Sequence, residues 1–197
     1  MKLIIDNLHL ERGGKFLFKD LSFCLESYKP IIVMGSNGSG KTSLLRCISG
    51  LLHSTSGEIY SINEKGEKIE YLHQCNYSGH KLAIKNELTV QENIIFWSRY
   101  YKKEINKDLL IKFKLDSLSD ISVGLLSFGQ MKKLSLIRIF LAEKSIWLLD
   151  EPMVGLDRES QEVVKKLIEK HIDLGKLIII ISTNFPFNDG SMAIPSK

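Results

Sequence analysis

Eight consecutive residues, Gly35-Ser36-Asn37-Gly38-Ser39-Gly40-Lys41-Thr42, carry the densest chemistry in the chain. They satisfy the spacing G-x-x-x-x-G-K-[ST] without deviation. Glycines at these positions let the backbone curl so that successive N–H groups face phosphate oxygens. Lys41 can reach β- and γ-phosphates, and the Thr42 hydroxyl can sit on Mg2+. The apolar run Ile31-Ile32-Val33-Met34 reads as a buried strand before the loop, and Ser43 to Leu52 reads as a helix after it. A helix that starts here adds its positive N-terminal dipole, so Ser43 belongs with the phosphate-binding set. The chemistry implied is binding of a nucleoside triphosphate with Mg2+.

A second group is Ile146-Trp147-Leu148-Leu149-Asp150-Glu151-Pro152, an apolar strand that ends in two acids. Asp150 at the strand end is placed to hold the Mg2+ shell. Glu151 can orient or polarise a water in front of the γ-phosphate. A third group, Leu126-Ser127-Phe128-Gly129-Gln130, opens a helix shortly before that strand.

These groups need a scaffold of strands and helices. Leu3 to Leu10 and Phe16 to Leu25 alternate as strands around a Gly13-Gly14 turn. Glu58 to Ile62 and Cys75 to Ser78 read as further strands. Thr89 to about Leu118 is helical in pattern, as are Gln130 to Ala142 and Arg158 to Leu174. Ser145 to Leu149 and Leu177 to Ile181 are continuously apolar, as expected of parallel strands covered on both faces. The fold class is therefore α/β: a mostly parallel sheet with N-terminal antiparallel strands and a small helical subdomain. The expected division is a core of residues 1–88 and 131–185, a helical subdomain of about 89–130, and a short tail over 186–197, with poor order expected from Asn184 to Lys197.

The 197 residues carry a net charge of +4, with lysines scattered rather than clustered, so no nucleic-acid partner is expected. Cys24, Cys47 and Cys75 form no C-x-x-C and lie among apolar neighbours; buried, reduced thiols are expected. The opening Met1-Lys2-Leu3-Ile4-Ile5-Asp6 lacks the apolar core of a signal peptide. No apolar stretch reaches the ~20 residues of a membrane helix, so any membrane role runs through a partner.

Leu126-Ser127-Phe128-Gly129-Gln130 resembles the L-S-G-G-Q signature of the ABC-type ATPases, and Gly155-Leu156-Asp157 looks like that family's D-loop. With the glycine-rich loop and the acidic strand, the resemblance covers nearly the whole chain. It implies a homodimer in which ATP on one copy is capped by Ser127, Gly129 and Gln130 of the other, with Asp157 beside it. Within that family, the run from Gly79-His80 through Lys85, Leu88-Thr89 and Glu92-Asn93 is similar to the ATP-binding subunit of the cytochrome c maturation haem exporter. That likeness implies transmembrane partner subunits, a peripheral place at the cytoplasmic face of the inner membrane, and ATP use in haem or haem-protein handling. A soluble, non-transport ATPase such as one of iron–sulfur assembly, or a catalytically weak ATP-sensing subunit, stand as alternatives.

Four positions depart from the family pattern. His80 stands where a Gln usually meets water or Mg2+, and Gln74 lies six residues too early to replace it. Arg12 stands where an aromatic ring usually stacks on adenine; a guanidinium plane can do the same. Phe128 replaces the first signature glycine, with ordinary dihedrals expected. Asn184 stands where a His usually bonds the γ-phosphate, which implies slower hydrolysis. The run Ile94-Ile95-Phe96-Trp97 is expected to serve the subdomain's own core rather than docking.

Overall fold

The computed structural model describes residues 1–104 and 107–182 together with the backbone of 191–193. In chain order the elements are β1 (Lys2–Arg12), β2 (Lys15–Leu25), β3 (Ile31–Met34), α1 (Lys41–Ile48), β4 (Ser56–Ile62), β5 (Lys68–Ile69) and β6 (Cys75–Ser78). There follow α2 (Val90–Tyr101), α3 (Lys107–Lys112), α4 (Phe128–Leu141), β7 (Ile146–Asp150), α5 (Arg158–Asp173), β8 (Leu177–Ile181) and β9 (Ser191–Ala193).

In β1 the apolar positions Leu3 and Ile5 are followed by Leu8 and Leu10, one residue out of a strict alternation. A bulge absorbs the extra residue: the pairing with β2 shifts between Ile5 and Leu8, and Asn7 takes a φ of 51°. Both apolar pairs consequently face the same core. β1 pairs antiparallel with β2 and β4, and the four-stranded order is β2-β1-β4-β5.

The second sheet has the order β6-β7-β8-β3-β9, with β3 parallel to β8 and β9 and β7 parallel to β8. Every residue of β7 and β8 is buried. Each Leu or Ile so placed contributes roughly 1.5–3 kcal/mol relative to exposure. Helix α1 packs on β7 and β8 through Leu44, Leu45 and Ile48. The expected parallel sheet with antiparallel N-terminal strands is thus present.

Contacts group residues 1–77, 145–151 and 171–197 into one compact unit and residues 78–144 and 152–170 into another. The expected subdomain of 89–130 lies inside the first segment of the second unit. There α2 packs on α4, Phe113 stacks on Phe140 at 6.3 Å, and Phe113, Leu115, Ile137 and Ile139 are buried.

Several expectations are corrected. The helical pattern over 89–118 is not one helix: α2 ends at Lys102, which adopts a left-handed φ of 53°. Only Ile94 of the run Ile94–Trp97 is fully buried; helical periodicity turns Phe96 outward, where it stacks edge-on against Trp97. Cys24 is exposed, because it falls on the outward phase of β2, whereas Cys47 is buried and Cys75 half-buried. The tail contains a strand, β9, paired in parallel with β3. Among the described residues no helix is long and apolar enough to cross a membrane.

Candidate active site

The first unit holds the glycine-rich loop. Helix α1 begins at Lys41, two residues earlier than the sequence suggests, so Lys41 and Thr42 are its first two residues. Gly40 caps it at φ 97° with no side-chain hydrogen bond to the helix amides. A Cβ at Gly40 would sit 3.1 Å from Leu17 Cβ and 3.3 Å from Phe18 Cδ1, so position 40 demands glycine by conformation and by space. The uncapped amides are the donors an anion needs.

Lys41 Nζ donates to the carbonyls of Gly35 at 2.7 Å and Ser36 at 2.9 Å, which folds the side chain over its own loop. The Ser39 hydroxyl is buried and has no hydrogen-bond partner among the described residues. An orphaned hydroxyl in a ring of backbone donors is the polarity a phosphate group satisfies.

Thr42 Oγ1 donates to Asp150 Oδ2 at 2.7 Å. Asp150 ends β7 with 1% of its surface exposed. One buried carboxylate and one hydroxyl are hard oxygen donors suited to Mg2+, which characteristically completes its shell with phosphates and water. The described residues contain no cluster of three or more acidic, His or Cys side chains able to hold a metal alone. The next residue, Glu151, is half-buried and has φ 47°, and its N–H donates to Ile181 O at 2.9 Å. A left-handed conformation in a non-glycine residue costs roughly 1–2 kcal/mol, and it turns the chain sharply at the end of β7. Arg12, the last residue of β1, is exposed beside the Gly13-Gly14 turn.

The second unit holds the other predicted residues. Ser127 caps α4: Gln130 N donates to Ser127 Oγ at 3.3 Å, and Ser127 N donates to Gln130 Oε1 at 2.8 Å. The S-x-x-Q of the signature run is therefore also a capping box, a signal that local sequence reading overlooked. It leaves the amides of Phe128 and Gly129 at the helix start. Phe128 has ordinary negative φ, as expected.

Asp157 caps α5 by accepting from Ser160 N at 2.9 Å, and its other oxygen pairs with Lys133 Nζ at 2.5 Å. The Lys133 hydrogen bond, then the Ser160 amide, hold the Asp157 carboxyl well below the usual carboxylate range. Lys133 is almost fully buried. No local sequence signal sets it apart, because α4 also carries Lys132 and Arg138.

His80 is exposed in a bend. Downstream, Lys85 N donates to Asn93 Oδ1 at 2.8 Å, and Asn93 Nδ2 donates back to Lys85 O at 2.9 Å. Thr89 and Glu92 form the capping box of α2. The residues that carried the finer family likeness thus fasten a loop to a helix. Gln74 lies in a short 3-10 turn. Asn184 lies outside the described residues.

The ABC transporter family model matches residues 18–154. The chain is 34% identical over 197 aligned residues to the cytochrome c biogenesis ATP-binding export protein CcmA of Brucella abortus, covering 98% of this chain and 90% of that protein. It is 37% identical to the protein of the same name in Mannheimia succiniciproducens, covering 92% and 87%. Among solved structures, a putative ABC transporter ATP-binding protein from Pyrococcus furiosus superposes with a TM-score of 0.81 at 24% identity, covering 98% of both chains. An ATP-binding cassette solved as a dimer in a post-hydrolysis state, bound to ADP and phosphate, superposes with a TM-score of 0.74 at 19% identity, covering 92% of this chain and 88% of that one.

Proposed function

We propose that this chain, which belongs to the ABC transporter family and within it to the cytochrome c biogenesis ATP-binding export proteins, is the ATP-hydrolysing subunit of an export complex that handles haem or a haem-bearing protein. The observation that carries the catalytic part is the 2.7 Å bond between Thr42 and Asp150, which ties the phosphate loop to the acid-tipped strand.

Residues Gly35 to Ser43 wrap the phosphates of ATP. Lys41 exchanges the Gly35 and Ser36 carbonyls for phosphate oxygens, and the Ser39 hydroxyl gains the partner it lacks among the described residues. Thr42 and Asp150 hold Mg2+, which when bound offsets charge on the phosphates. Glu151 orients the attacking water. Arg12 stacks on the base. His80 adds a ring nitrogen for water near the γ-phosphate. Asn184 in place of the usual His slows turnover.

Two copies pair across the nucleotide, with Ser127, Gly129 and Gln130 of one meeting the ATP of the other and Asp157 setting the adjoining turn. The interface is two-fold and self-complementary. The dimeric cassette of the same fold supports this arrangement. Closure on ATP moves transmembrane subunits that hold the pair at the cytoplasmic face of the membrane.

The test is affinity purification of the tagged chain from detergent-solubilised membranes of its own cell, followed by mass spectrometry and Mg2+-dependent ATPase assay. Hydrophobic subunits of the cytochrome c maturation machinery are expected to copurify. Copurification of soluble assembly proteins alone would favour a non-transport ATPase instead.

A further inference from the structure

Phe128 stands where the family signature has glycine, and its ring has a specific seat in this chain. A Cβ built on Gly155 would fall 2.6 Å from Phe128 Cε1 and 2.7 Å from Cδ1. The ring therefore fills the space that any side chain at position 155 would need. Gly155 has φ 81°, so its conformation also favours glycine. The neighbouring residue makes the matching contact: a Cβ on Gly129 would fall 2.7 Å from Gly155 O. Two consecutive residues at the start of α4 thus grip one glycine, the ring against its Cα and the Gly129 backbone against its carbonyl. Two residues on, Asp157 is tied to the same helix through Lys133.

The turn of residues 152–157 is consequently fastened to α4 at two points, Gly155 and Asp157. A glycine at 128 would leave the Gly155 end held on one side only. The Phe128 ring is 54% exposed, so burial of apolar area does not account for its placement; the interlock with Gly155 does.

We propose that Phe128 is a positioning residue that locks the turn 152–157 to the loop 126–130, so that both meet nucleotide as one rigid piece. The proposal rests on the reading above that this loop caps the ATP of a second copy.

The test compares Phe128→Ala and Phe128→Tyr in the full chain. The Tyr ring keeps the contact, because the ring edge rather than the para position faces Gly155. Phe128→Ala should lower kcat on the order of tenfold, the scale of a small misplacement of reacting groups. ATP binding to the separate chain, read by equilibrium titration, should stay unchanged, since the phosphate loop is untouched, and Phe128→Tyr should keep wild-type kcat. Amide hydrogen exchange without ATP should quicken at 153–157 in Phe128→Ala and stay at wild-type rates in Phe128→Tyr. Wild-type kcat in Phe128→Ala, equal loss of kcat in both variants, or unaltered exchange at 153–157 would each overturn the proposal. A wild-type chain without ATPase activity would instead overturn the proposed function and the positioning role together, while exchange would still report the contact.

Discussion

Thr42 Oγ1 donates to Asp150 Oδ2 at 2.7 Å across 108 residues of chain. The bond joins the second residue of α1 to the last residue of β7, the two residues proposed above to hold Mg2+.

Asp150→Asn keeps the shape of a side chain that is 1% exposed but removes its charge. Mg2+-dependent hydrolysis should fall about 10²–10³-fold, corresponding to several kcal/mol of lost metal assistance. A magnesium titration of ATPase activity checks this, with thermal melting to show that the variant folds. Activity within threefold of wild type would remove Asp150 from the metal shell.

Glu151→Gln preserves size and the backbone turn at φ 47° while removing the carboxylate. Turnover should fall roughly 10²–10⁴-fold, the usual contribution of general base catalysis. ATP affinity, measured by equilibrium binding, should stay within a few-fold of wild type.

His171 gives the fold a pH dependence. Its ring stacks on Trp147 at 3.8 Å, and Nε2 lies 3.1 Å from Leu177 O, to which the neutral ring donates. Burial, partly opposed by these backbone acceptors, lowers its pKa to about 4 from the ordinary 6.5. The unfolded chain binds this proton first. Stability from the neutral ring is therefore full above pH 6.5 and is lost progressively as pH falls to about 4. The loss should reach about 2–4 kcal/mol. Urea unfolding across that range measures it, and His171→Phe should flatten the slope.

Lys133 and Asp157 test what a nearly buried cation requires. Asp157→Asn keeps the cap on Ser160 yet leaves Lys133 without its counter-charge, and should destabilise by about 1–3 kcal/mol. The exposure of Asp157, about half, places the effect toward the low end. Adding Lys133→Met should recover most of the loss, because an apolar side chain replaces an uncompensated charge. A double-mutant cycle by denaturant unfolding reads this directly.

The catalytic loop and acid strand were legible because their signals are local. Gly35 to Thr42 and Ile146 to Glu151 each carry residue types and spacing that few other structures demand. Contacts closed over long stretches of chain were not legible. Lys133 finds Asp157 only after α4 and α5 are placed, and Phe128 finds Gly155 for the same reason. The strand order β6-β7-β8-β3-β9 also has no local signature, and β5 and β9 are too short for periodicity to show. The run Ile94 to Trp97 divides in the same way, because a helix shares four residues around its circumference: Ile94 is buried and Phe96 faces outward.

In the proposed arrangement ATP holds two copies together, the phosphate loop of one against Ser127 and Gly129 of the other. Sedimentation of the Glu151→Gln chain with and without Mg2+-ATP tests it most directly, because slow hydrolysis preserves the closed state. The expected result is a monomer without nucleotide, a dimer with it, and a monomer that still binds ATP when Ser127→Arg is added. A Glu151→Gln chain that binds ATP yet stays monomeric at every concentration tested would contradict it.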